Sequence, residues 1–71
     1  NPALYFPPHW LSILCDKCLF NEDQLIQLTH VDQKQLGREI HKMEISIMEQ
    51  QIRQPQVYCW NFFKSSFPEL K

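Results

Sequence analysis

The apolar positions fall into a series of short periodic runs. The opening NPALYFPPHW holds three of the five prolines and reads as an extended leader, residues 1–10. In LSILCDKCLF, Leu11, Leu14, Cys15 and Cys18 recur at spacings of three and four, the stripe of a first helix. Asn21 with Gln24 three residues on has the form of a capping box, and Phe20 and Leu25 have the spacing of a hydrophobic staple. Leu25, Ile26 and Leu28 then supply the buried side of a second helix. The same start signal repeats at Asp32 with Gln35, flanked by Val31 and Leu36, and Leu36, Ile40 and Met43 mark the core side of a third helix. Only Thr29, His30 and Val31 separate the two, so the pair forms a helix-turn-helix.

After Glu44 the pattern changes. ISIMEQQIR carries β-branched residues and predicts a strand from about Ile47 to Arg53, with Met48, Gln50 and Ile52 on one face. Gln54-Pro55-Gln56 suits a turn, and VYCWNFF suits a second strand. Tyr58, Trp60 and Phe62 would alternate onto one face of that strand, and Val57, Cys59 and Phe63 onto the other. Three helices followed by a two-stranded hairpin is an α+β fold, a winged helix. The expected organisation is a leader (1–10), a winged-helix domain (11–63) and a carboxy-terminal tail (64–71).

NEDQLIQLTHVDQKQLGREIHKME followed by ISIMEQQIR resembles the helix-turn-helix and first wing strand of winged-helix domains. It is most similar to the amino-terminal winged helix of the large subunit of transcription initiation factor IIE and its archaeal relatives. Two positions depart from that pattern: the hairpin turn is very short, and Ser46 stands where many winged helices have glycine before the wing. The resemblance implies a place in transcription or related genome machinery, and a nuclear location in a eukaryote.

Setting Leu36 at zero and turning about 100° per residue, Lys34, Arg38 and Lys42 fall at roughly 160°, 200° and 240°, a ridge opposite the core. Gln35 and His41 flank it and can hydrogen-bond. In a helix-turn-helix this face enters the major groove, where Lys and Arg neutralise phosphate or read guanine and Gln reads adenine. DNA or RNA is therefore the expected partner, bound weakly and with salt sensitivity. The alternative is a protein partner or neighbouring domain docked on the aromatic hairpin through Tyr58, Trp60 and Phe62.

Composition narrows the rest. At 71 residues, 44% hydrophobic, the chain has room for one small folded domain. It opens Asn1-Pro2 without a methionine, which suggests a domain of a longer protein. The net charge of −1 hides an asymmetry: residues 1–33 carry one base against four acids, and residues 34–71 six bases against four acids. No apolar run approaches the ~18 residues that would suggest a membrane span. Three cysteines, an odd number, fit reduced thiols in an intracellular setting. Cys15-x-x-Cys18, with Cys59 and one of His9, His30 or His41, could be imagined around zinc. Such sites want two close pairs, however, and both thiols of the single pair lie in an apolar stripe. No metal or other cofactor is expected. With Gly37 the only glycine there is no phosphate-cradling loop, and no nucleophile has a partnered base, so no catalytic residue is assigned.

Overall fold

The computed structural model describes residues 1–71, and all of its regular structure is helical. Where an extended leader is expected, Pro2–Tyr5 wind a 3-10 turn, capped by Asn1 Oδ1 accepting from the Ala3 amide at 2.9 Å. Helix α1 starts at Pro8, whose ring presets the first-turn dihedral, and runs as Pro8–Leu11 before widening into a π-helical stretch, Ser12–Lys17. The Cys18 amide donates to the Ile13 carbonyl at 2.8 Å, a five-residue step. That step aligns Ile13 with Cys18, and both are buried together with Leu14, while Leu11 and Cys15 stay half-buried. Leu19 then takes φ 60°, a left-handed conformation costing about 1–2 kcal/mol for a residue with a Cβ. It turns the chain so that the Phe20 amide reaches the Leu14 carbonyl at 3.0 Å.

Helix α2, Glu22–Leu28, begins with the expected capping box: Asn21 Oδ1 accepts from the Gln24 amide at 2.9 Å and Gln24 Oε1 from the Asn21 amide at 3.0 Å. Phe20 and Leu25 are both buried, as a staple requires. Four residues separate α2 from α3, which starts at Gln33, capped by Asp32 Oδ1 on the Gln35 amide at 3.0 Å. Gln33 braces the turn by donating to the Leu28 and Val31 carbonyls at 2.9 and 2.8 Å.

The winged-helix expectation fails at the hairpin. Helix α3 runs Gln33–Glu49, through the start of the expected first strand. Ile47 continues the 36-40-43 stripe at four-residue spacing and is half-buried against the core, so the helical period outlasts the change in composition. The chain leaves the helix at Gln50 in extended conformation, and Pro55 occupies the first turn of α4, Pro55–Ser66, instead of the middle of a hairpin turn. Cys59 and Phe63 are four apart and Trp60 and Phe63 three apart, all buried, a spacing that a strand cannot produce, and Phe67 and Leu70 just past the helix are buried with them. High β-propensity of aromatic residues is overridden here by their helical spacing.

Helices α3 and α4 pack antiparallel. At one end the hydroxyls of Ser46 and Tyr58 lie 2.6 Å apart; at the other Gln35 Nε2 donates to the Ser66 carbonyl at 3.1 Å. The start of α4 is tied to the start of α2 by Gln56 Nε2 donating to Gln24 Oε1 at 2.8 Å. Phe20 sits at the junction, edge-on to Trp60 (5.3 Å between centroids) and Phe63 (5.7 Å). The sixteen buried residues form a single cluster and every one is apolar. The three cysteines are unpaired, with Cys18 and Cys59 in that cluster. A hydrogen bond with the Cys59 thiol, reinforced by burial, pushes the Cys18 thiol far above its usual range, so it stays a neutral core group.

Candidate nucleic-acid interface

Seventeen residues of α3 give a rod about 25 Å long. Its inner stripe, Leu36, Ile40 and Met43, is fully buried, so the opposite side must face solvent. Lys34, Arg38, His41 and Lys42 are all exposed there. Lys34 to Lys42 spans about 12 Å along the axis, and the helix itself is about as wide as a B-DNA major groove. Two of the three acids of this helix, Glu39 and Glu44, are engaged by neighbouring side chains. Glu39 accepts from Ser66 Oγ at 3.0 Å on α4, and only its second oxygen reaches Lys42, at 3.7 Å. Glu44 lies between His9 (3.5 Å) and Lys17 (3.8 Å) of α1. Glu49 is exposed and on the same helical count falls at about 220°, on the ridge face itself, about 10 Å beyond Lys42 along the axis.

One expected member of the ridge is drawn away from it. Gln35 is half-buried, and its amide nitrogen is committed to the Ser66 carbonyl. In its place the outer face continues into Ile45 and Met48, 43% and 73% exposed, beyond Glu44 where the helical pattern is expected to change. Their signal was available: both lie within about 60° of the ridge when the helical count is carried past Glu44.

The aromatic residues expected on a hairpin face are not a surface. Trp60 is buried and its Nε1 donates to the Lys71 carbonyl at 3.2 Å. Tyr58 is half-buried with its hydroxyl on Ser46, and Phe62 is half-buried edge-on to Phe63. Ile26, expected inside with Leu25 and Leu28, is 41% exposed, because a seven-residue α2 turns only Leu25 and Leu28 to the core. No three of the His, Cys, Asp and Glu side chains come together as a set that could hold a metal ion.

Asp32, at the head of the basic helix, has a carboxyl held below its usual range. The Gln35 amide is the main cause, with Arg38 and Lys34 adding to it. A folded-state value below the unfolded one means the cap stabilises above pH ~4 and loses that contribution as acid protonates the folded carboxyl. Asp32→Ala should therefore be less stable than the parent at neutral pH, with the gap narrowing toward pH ~3. Urea midpoints at the two pH values check this, and a gap that does not change with pH contradicts it.

No protein-family model, curated protein or solved structure matches this chain. The functional reading therefore stands on the geometry of α3 and its neighbours. No helix is long and apolar enough to cross a membrane.

Proposed function

We propose that this chain is a non-catalytic helical module that contacts nucleic acid through the outer face of α3. The observation that carries the reading is the sorting of charge on that helix. Lys34, Arg38, His41 and Lys42 face solvent, while Glu44 is taken up by His9 and Lys17 and Glu39 is shared between Ser66 and Lys42, leaving Glu49 the one exposed acid of the helix without such a partner. The tight α2–turn–α3 unit is compatible with it, since the four side chains on the outer face of α3 are all exposed. On the likeness of the segment NEDQLIQLTHVDQKQLGREIHKME to a helix-turn-helix sequence, we place the module in transcription or genome maintenance. Docking through an aromatic hairpin is not retained, since Tyr58, Trp60 and Phe62 sit on a helix and face largely inward.

Three phosphate contacts give a salt slope of about −2.7, so affinity should fall roughly 40-fold between ~50 and ~200 mM salt. The test is titration of labelled duplex and single-stranded oligonucleotides at several salt concentrations, with Lys34→Glu/Arg38→Glu/Lys42→Glu as comparison. All three side chains are exposed, so the variant should keep its circular-dichroism spectrum. Salt-sensitive binding weakened by about tenfold or more in the variant supports the reading. Equal binding by both proteins, or none by either, retires it.

A further inference from the structure

The basic face leaves the acidic first half of the chain unexplained. There two grooves abut on α2 and share His30 as their common wall. One, of about 340 Å³, lies between the amino-terminal turn and α2, lined by Pro2, Tyr5, Ile26, Thr29 and His30. Its apolar walls are open to solvent: Tyr5 is 75% exposed, Ile26 41%, and Leu4 on the same turn 83%. The other, of about 570 Å³, is polar and carries the carboxylates of Asp23 and Glu69 with Lys71 and the shared His30. Gln27 organises its floor, donating through Nε2 to Asp23 Oδ2 at 3.1 Å and accepting the Lys71 amide on Oε1 at 2.7 Å. Lys17, the only base among residues 1–33, is engaged with Glu44 and does not line either groove.

We propose that these grooves together form a peptide-docking site for a short cationic segment, one large apolar side chain seated against Tyr5 and Ile26 and an adjacent Lys or Arg laid toward Asp23 and Glu69. Charge selects this occupant. Two carboxylates against one lysine leave the groove net negative and repel a phosphate backbone, so the nucleic acid assigned to α3 does not belong here. A purely apolar ligand would leave the acidic groove empty. The first groove has the volume of the smallest ligand pockets and fits a single anchor side chain, flanked by a charge that fixes orientation and register. None of these residues belongs to the basic face of α3, so the proposal stands or falls separately from the nucleic-acid reading.

The test is a titration of the ¹⁵N-labelled chain with short capped peptides in a Gly/Ser background. Each carries one Leu, Phe or Trp and one Lys placed at successive spacings from it. Controls replace the Lys by Glu, or the apolar residue by Ser. At least one spacing should give saturable shifts at Tyr5, Asp23, Ile26, Thr29 and His30. Both controls should bind about fivefold or more weakly, as should Ile26→Ser and Asp23→Asn chains with otherwise unchanged spectra. Absence of saturable shifts with every peptide up to its solubility overturns the proposal. So does equal binding of the Glu-containing controls, or a response confined to α3.

Discussion

Phe63→Ala is expected to leave most of the chain unfolded at 25 °C. Its ring is fully buried and meets Phe20, Phe62 and Phe67 at centroid distances of 5.7, 5.9 and 6.5 Å. Truncating a buried phenylalanine costs about 3–5 kcal/mol, and a core of this size supplies only about 3–5 kcal/mol in all. Phe62→Ala, at a half-buried neighbouring position, should fold and lose much less. The contrast separates the helical arrangement from the expected strand. Alternation would group Phe62 with Tyr58 and Trp60 and turn Phe63 away, whereas α4 places Trp60 and Phe63 inside together. Far-UV circular dichroism and urea unfolding of the two variants decide it; equal losses, or a greater loss at Phe62, would contradict the packing described for α4.

Gly37→Val should be the second severe change, and for a local reason. A Cβ at Gly37 would lie 2.8 Å from the Trp10 ring, so the indole must shift before any side chain fits. Alanine would gain about 1 kcal/mol of helix propensity against that displacement. The branched valine gains less and reaches further, and overpacking of this kind costs about 1–3 kcal/mol. Trp10 contacts Phe6 at 6.4 Å, and Phe6 is buried, so displacing the indole loosens the amino-terminal segment from the core. A red-shifted Trp10 emission in a Trp60→Phe background, with a lowered urea midpoint, is the expected readout. An unchanged spectrum and midpoint would show that Trp10 does not need the glycine.

The middle of the fold, from Phe20 to Met43, was legible because short-range chemistry settled it, whereas the leader, expected extended, winds a 3-10 turn and begins α1 at Pro8. The caps at Asn21 and Asp32, the staples Phe20–Leu25 and Val31–Leu36, and the core stripe of α3 are local patterns with one physical reading each. The last third was not, because β-branched and aromatic residues favour strands by type while occupying helical positions by spacing. Ile47 continues the stripe of α3, and Cys59, Phe63 and Phe67 repeat every four residues; counting the period past Glu44 would have favoured helix over composition. The π-helical widening after Leu11, which turns Ile13 inward, left no mark in the sequence that period counting could detect. At the candidate site, Lys34, Arg38, His41 and Lys42 followed directly from the helical phase. Gln35 did not, because the carbonyl that captures it belongs to Ser66, thirty-one residues away in the chain.

Amide mapping decides whether nucleic acid meets the outer face of α3. The ¹⁵N-labelled chain would be titrated with a short duplex at low salt and its amide shifts followed residue by residue. Shifts should centre on Lys34, Arg38, His41 and Lys42 and reverse on added salt, with Tyr5 and Ile26 unmoved. Shifts that avoid α3, or a spectrum that does not respond at all, would contradict that contact.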